Sequence, residues 1–495
     1  VFYFCSVNLF RDQQLSMNGS IPKYQQVARQ LGDKLRLGVL AEGDKLPSVR
    51  MLSQELGVSI NTVQQAYYCL EAEGLVEARP QSGYYARTLI DRMDTVPRRS
   101  EPQAMAHQTS LSNQESVLRR RMRQQREPGW LSLSMGVPAP ELLPVSKLTK
   151  ALQQAQRELP HGGIEYEQMV GNQALRRQIA RYALFWGSQL TDEEIITTEG
   201  CTAALTLCLK TVTRPGDTVA VESPVYFGIL QTILSLGLKV LELPTDPLTG
   251  VDLDVLEKHL QIGQVQACLL VPSFSNPLGC CMPITHKQRL VRLMESYQIP
   301  LIEDDLYGDL HFAPDRPLPC KAFDRQGLVL WCGSFSKTLA PGYRVGWVAP
   351  GRYYEALFQI KRYQGGFSPG LTQQAVANFL ANDRYELHLR RLRQRLKSNC
   401  QRYQQTIRTY FPEGTRISEP QGGFTLWVEV DARIDTLALA DELAEYKISI
   451  LPGCVFSLQP QYGNCMRLSY GMPFDERVAW GLQTIGQLIH QQLGL

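Results

Sequence analysis

An amine set among hydroxyls marks Ser334-Phe335-Ser336-Lys337-Thr338, with the guanidinium of Arg344 seven residues on. A lysine in such company works either as a cation against phosphate or as a nucleophile toward a carbonyl. Gly333 and the Lys337-Thr338 pair echo the end of a nucleotide-binding loop, but Ser336 stands where that loop needs glycine, which argues against it. Other candidates lie upstream and downstream. Asp304-Asp305-Leu306-Tyr307 offers two carboxylates and a phenol, and Asn276-Pro277-Leu278-Gly279 is on its own a turn signal. Glu199-Gly200-Cys201-Thr202-Ala203-Ala204 opens a helix, whose first N–H groups and positive dipole end suit a dianion. Arg467 sits in the strand-like Asn464–Ser469 segment. Each is ordinary taken singly.

The elements around them give the list its weight. Strand-like runs at Val219–Val221, Ala267–Val271, Pro300–Asp304 and Leu328–Trp331 alternate with amphipathic helical stretches from Trp130 to the C-terminus. That alternation predicts an α/β fold with a mainly parallel sheet. In such sheets functional side chains gather at the carboxyl ends of strands, and Asn276, Asp304 and Ser334 to Lys337 all follow such ends.

A different pattern precedes it. Val27, Leu31 and Leu35 recur at helical spacing before Gly38. Leu46-Pro47-Ser48-Val49-Arg50 starts a short helix with Ser48 as N-cap, which Gly57 ends. Ser59 caps a third, with Val63, Ala66, Tyr67 and Leu70 on its apolar face and Gly74 at its close. Leu75–Arg79 and Tyr84–Ala86 flank Pro80-Gln81-Ser82-Gly83, a hairpin signal. Together these spell a winged helix-turn-helix. The expected layout is an extension over 1–19, this module over 20–87, a polar linker over 88–129 and the α/β domain over 130–495.

Composition limits the alternatives. The 495 residues are 44% hydrophobic and 20% charged, too apolar for a largely disordered chain. Lys and Arg number 51 against 48 Asp and Glu, a net +3 that neither demands nor excludes a polyanion. Twelve cysteines without a CxxC pair fit a reducing cytoplasm and give no metal motif. No apolar run is long enough to span a membrane. The chain opens on Val-Phe-Tyr-Phe-Cys, so Met17 is the expected start of translation.

From Trp130 onward the chain resembles the fold-type I aminotransferases that use pyridoxal 5′-phosphate. The resemblance implies a large, mainly parallel sheet domain and a smaller C-terminal α/β domain. It makes Lys337 the Schiff-base and catalytic lysine, with Asp304 on the pyridine nitrogen and Asp305 its alternative if the register slips by one. Tyr307 and Asn276 then serve the ring oxygen. Cys201, Thr202, Ser334, Ser336 and Arg344 hold the phosphate, and Tyr226, from Ser223-Pro224-Val225-Tyr226, stacks on the ring. Tyr166 resembles the tyrosine that reaches the partner subunit's phosphate, which implies a homodimer. Arg467 matches the arginine that grips a substrate carboxylate through a bidentate fork.

Leu46–Arg50, Gly57-Val58-Ser59, Thr62-Val63, Ala66-Tyr67 and Glu73-Gly74-Leu75 resemble a GntR-type winged helix. Joined to the second resemblance, the chain looks like a MocR-type transcription regulator. That implies a double-stranded DNA operator as partner and pyridoxal phosphate or an amino acid as effector. Asn61, Thr62, Gln64 and Gln65 follow Ser59 on the leading turns of the helix expected in the major groove. Ser48 and Arg50 reach phosphates or a base edge, and Gly83 turns the wing. One departure stands out: Ile60 and Gln64 occupy positions where the family often carries basic residues. With eight Lys and Arg against seven Asp and Glu between Ser20 and Arg87, a single module is expected to bind DNA weakly unless dimerisation or the Arg119–Arg126 cluster compensates. The alternative reading is an active aminotransferase with an appended DNA-binding module.

Overall fold

The computed structural model describes residues 23–36, 44–72, 75–79, 83–86, 96–102, 118–120, 128–184, 189–364, 366–381 and 384–495. Gly38, Gly74, the hairpin tip at 80–82 and most of the 119–126 arginine cluster lie outside them. The chain divides into two compact units, Val1–Asp94 and Thr95–Leu495.

In the first unit, α1 (Lys23–Arg36), α2 (Val49–Leu56) and α3 (Ile60–Ala72) precede β1 (Val76–Arg79) and β2 (Gly83–Ala86). Val27, Leu31 and Leu35 of α1 bury against Val63, Ala66, Tyr67 and Leu70 of α3, the pairing expected from their helical spacing. Ser48 Oγ accepts the Met51 N–H at 3.2 Å, and Gly57 ends α2 at φ 61°, a left-handed turn that glycine adopts without strain. Ser59 Oγ accepts the Thr62 N–H at 3.1 Å, which starts α3 after only three connecting residues. The wing gains a third edge because Leu46 N–H donates to Tyr84 O and Ala86 N–H to Asp44 O, both at 2.8 Å. Tyr67 stacks on Tyr84 at 4.4 Å and donates to Pro47 O, fastening α3 to the wing.

The second unit is built on an eight-stranded sheet: β4 (Ile196–Thr198), β5 (Thr218–Ser223), β6 (Lys239–Asp246), β7 (Gly250–Val251), β8 (Ala267–Leu270), β9 (Leu301–Asp304), β10 (Val329–Ser334) and β11 (Gly346–Ala349). Their spatial order is β4-β11-β10-β9-β8-β5-β6-β7. Strands β10, β9, β8, β5 and β6 run parallel, while β11 opposes both β10 and β4. Alternate residues feed opposite faces: Val219 and Val221 enter one core cluster, while Ala220 enters another with Leu241 and Leu270. Both faces are therefore covered, as a parallel sheet of Val and Leu requires. A smaller antiparallel sheet joins β12 (Arg416–Ile417), β13 (Thr425–Glu429), β15 (Leu451–Pro452) and β16 (Cys465–Ser469), and β3 (Leu131–Ser132) pairs with β14 (Ile448–Ser449).

Candidate functional site

The carboxyl ends of β4, β5, β8, β9 and β10 open on one edge of the large sheet, and each delivers at least one candidate. Strand β10 ends at Ser334, whose Oγ accepts the Ser336 N–H at 3.1 Å and donates to Val345 O at 2.8 Å. This tight turn sends Lys337 out of the strand line. The side chain of Lys337 is half-buried, and its Nζ donates to Gly136 O. Burial first, and the nearby Arg467 charge second, push its amine down to about 8.

Asp304 closes β9 with its carboxylate buried. Oδ1 accepts from Cys201 Sγ at 3.1 Å and from Leu306 N–H at 3.3 Å. Burial pushes its carboxyl up to about 6, against the lowering effect of those donors. Asp305 faces other partners, Arg316 and Trp331 Nε1, and Arg316 also binds Asp309 at 2.8 Å. The two adjacent acids thus divide between different surroundings. Asp304 and Cys201 are the charges and dipoles that raise the Lys337 amine against its burial.

Tyr307, one turn on, is buried, and its hydroxyl accepts from Asn276 Nδ2 at 3.2 Å. Asn276 Oδ1 in turn accepts from Arg467 Nη1 at 3.2 Å, while Arg467 Nη2 donates to Ser134 O. Arg467 enters from β16, between Leu451 and Trp427 on the neighbouring strands. It is 2% exposed, and its Nε has no partner among the described residues. A buried cation with an unused donor is a costly arrangement that an incoming anion relieves. Tyr226, at the end of β5, is half-buried and feels both the Arg467 and Asp304 charges.

A second cluster of candidates forms where the antiparallel β11 returns to this edge. Gly346 pairs with both Ser334 and Thr198, so Arg344 arrives beside the start of helix Cys201–Val212. Its Nη2 donates to Glu199 O at 2.7 Å. Gly200, at φ 87°, lies under that guanidinium: a Cβ there would stand 2.5 Å from Nη2. Ser336 Oγ lies 2.9 Å from Ser334 Oγ, and Thr202 is exposed on the first helical turn. The Cys201 thiol turns to Asp304, and its backbone N–H lies at the start of the helix. Tyr166 stays apart from the cluster within one chain, 85% exposed and against Phe367 at 4.7 Å. Gly136 and Ser134 escaped the sequence reading, since a backbone carbonyl carries no residue-type signal.

On the first unit, α3 turns Ile60, Asn61, Gln64, Gln65 and Tyr68 outward, with Thr62 half-buried. Arg50 and Gly83 are exposed, and the hydroxyls of Ser48 and Ser59 serve as helix caps.

The aminotransferase class I and II family model matches residues 136–477. That span covers more than half of the chain, and the bacterial regulatory gntR family model matches residues 23–85 ahead of it. The chain belongs to the class I and II aminotransferases, as a MocR-type protein with a GntR module. It is 38% identical over 471 residues to the HTH-type transcriptional regulator YjiR of Escherichia coli (strain K12), covering 95% of this chain and 99% of that one. It is 28% identical to the probable rhizopine catabolism regulatory protein MocR of Rhizobium meliloti, over 87% of this chain and 85% of the relative. Among solved structures it resembles LysN, an alpha-aminoadipate aminotransferase from Thermus thermophilus complexed with N-(5′-phosphopyridoxyl)-L-leucine. The TM-score is 0.70 at 27% identity, covering 78% of this chain and all of that one. Membership of this MocR-type group implies DNA binding by the first unit and pyridoxal phosphate use by the second. Among the described residues, no helix is long and apolar enough to cross a membrane.

Two features of the site fit the cofactor that the family implies: the Lys337 amine pushed toward neutrality and the glycine-lined corner under Arg344. The raised Asp304 value has a cost. A carboxyl whose pKa is about 6 when folded and 3.8 otherwise contributes stability below 3.8 and loses it as the pH rises through 6. In the cofactor-free protein, Asp304→Asn is therefore expected to raise stability at pH 7.5 by about 2–3 kcal/mol. Asparagine keeps an acceptor for Cys201 and Leu306. Urea unfolding at pH 7.5 and pH 4 checks this, because the difference must shrink at the lower pH.

Proposed function

We propose that this MocR-type protein binds an operator through its winged helix and responds to an amino acid received on pyridoxal 5′-phosphate in its second unit. The observation that carries the reading is the convergence of Lys337, Asp304 and the Arg467–Asn276–Tyr307 chain at one sheet edge. Lys337 would join the cofactor covalently, Asp304 would hold its pyridine nitrogen, and Tyr307 and Asn276 would serve the ring oxygen. Tyr226 would cover the ring. The helix start at Cys201 and Thr202, with Ser334, Ser336 and Arg344, would hold the phosphate. When bound, pyridoxal phosphate supplies an aldehyde for an amine and a ring that accepts electrons from the carbon beside it.

The chain's own groups do the rest. With its amine at about 8, Lys337 Nζ exists partly as the free base near neutral pH, able to give up and take back a proton. Asp304, at about 6, is mostly ionised at pH 7.5 and ready to accept a hydrogen bond from a protonated ring nitrogen. Arg467 orients a carboxylate, and its buried, half-satisfied state favours an amino acid over the cofactor alone as effector. Exposed Ile164, Tyr166 and Tyr363, with Phe367, support a homodimer in which Tyr166 reaches the partner subunit's phosphate.

Operator binding by the full chain, with and without pyridoxal phosphate and then with an amino-acid panel, tests the reading. Affinity that ignores every addition overturns it. On the DNA side, Asn61, Thr62, Gln64 and Gln65 would read bases, with Ser48, Arg50, Ser59 and Gly83 toward the backbone and wing. Arg50→Ala is expected to weaken all sequences alike and lower the slope of log affinity against log salt by about 1. Titrations at several salt concentrations measure that slope. The second reading, turnover as an aminotransferase, is favoured by the complete set of Lys337, Asp304 and Arg467. Steady conversion of an added 2-oxo acid would establish it.

A further inference from the structure

Residues 96–102 fall in the stretch whose composition reads as a polar linker, and they pack within the second unit. Pro97, Ser100 and Pro102 are buried, while Arg98, Arg99 and Glu101 face outward. Ser100 N–H donates to Thr245 O at 3.1 Å, and Thr245 N–H donates to Ser100 Oγ at 2.7 Å. Arg99 pairs with Asp252, the cap of helix Leu253–Gln261. Both anchors belong to the large sheet and its helices.

The neighbouring residues hold the small sheet instead. Arg98 N–H donates to Glu429 Oε2 at 2.9 Å, with its guanidinium 3.5 Å from Oε1, and Arg416 donates to Val96 O at 3.4 Å. Further along, Leu118 is 4% exposed. It packs between Phe227 and Leu278 from the large half and Trp427, Leu451 and Phe456 from the small half. Arg120 meets Asp441 at 2.7 Å. The exposed ion pairs add little; the Ser100–Thr245 exchange and the buried Leu118 hold the strap down.

The same residues reach the candidate site. Phe456 lies 5.6 Å from the Arg467 guanidinium, and Phe227 packs on Tyr226 at 4.5 Å. Tyr462 hydroxyl meets Ser223 at 3.0 Å.

We infer that this surface is the docking site for the chain's own inter-unit segment, and that strap docking and ligand binding at Arg467 are thermodynamically coupled. The inference rests on the ligand site proposed above. A strap tied to one sheet would be indifferent to their relative position; one tied to both is sensitive to it. A ligand held by the large-sheet groups and by Arg467 fixes the same relative position from inside. Each event then favours the other by the same factor, and the strap leads in sequence to the DNA-binding module.

The test uses the full chain with N-(5′-phosphopyridoxyl)-L-leucine as probe, measured by calorimetry. A double variant, Arg99→Ala with Leu118→Ala, is expected to bind about fivefold to tenfold more weakly than the wild type. Arg433→Gln, which removes an exposed pair with Asp431, is the control and is expected to match the wild type. In the wild type, the probe is expected to slow hydrogen exchange at the Ser100 and Thr245 amides, a reading that stands even if the double variant fails to fold. Equal affinities with unchanged exchange overturn the coupling while leaving the ligand site intact. A wild type that does not bind the probe overturns the site and the coupling together.

Discussion

Lys337→Ala is expected to abolish covalent retention of pyridoxal 5′-phosphate and, with it, the response of operator binding to ligand. The substitution removes one amine and leaves the Asp304, Tyr307 and Arg344 groups in place, so the protein is expected to fold. What it would lose is a covalent bond to the cofactor, which dialysis would not break. Retention is expected to fall by at least about 100-fold, near 3 kcal/mol. Borohydride treatment followed by peptide mapping is the measurement: the wild type is expected to carry a phosphopyridoxyl group on Lys337, and the variant none. Lys337→Arg sharpens the result, since a guanidinium keeps the charge but does not condense with an aldehyde under these conditions. If charge alone mattered, the arginine variant would respond to ligand as the wild type does.

Arg467→Gln is expected to cut affinity for an amino-acid ligand about a hundredfold, near 3 kcal/mol, while cofactor retention changes only severalfold. The guanidinium is buried, joined to Asn276 and Ser134, and left with an unused Nε. Glutamine can still donate to one of those oxygens but offers no cation to a carboxylate. Spectral titration with amino acids in both proteins separates the two affinities. The result also discriminates between effectors: a regulator that senses pyridoxal phosphate alone would keep its operator response in this variant.

The legible parts of this protein are those set by local rules. Ser48, Gly57 and Ser59 announce helix ends because capping depends on residues within a turn, and α3 follows the spacing of Val63, Ala66, Tyr67 and Leu70. The strand ends that carry Asp304 and Ser334 are visible because parallel strands are continuous apolar runs that stop abruptly. Contacts that depend on distant chain are not visible. The different surroundings of Asp304 and Asp305 come from Arg316 and Trp331, neither adjacent to them in sequence. Lys337 meets a carbonyl 201 residues away. The polar text around Ser100 reads as linker because its partners are backbone groups of Thr245, which leave no mark in residue type.

The span between Ser134 and Arg467 has a consequence for synthesis. Their contact closes over 333 residues, and at ribosomal speeds of about 5–20 residues per second that interval is roughly 15–70 s. The winged helix, with a core of its own, emerges long before. Each new molecule therefore passes through a period in which the winged helix has emerged from the ribosome and the Ser134–Arg467 contact has not yet closed.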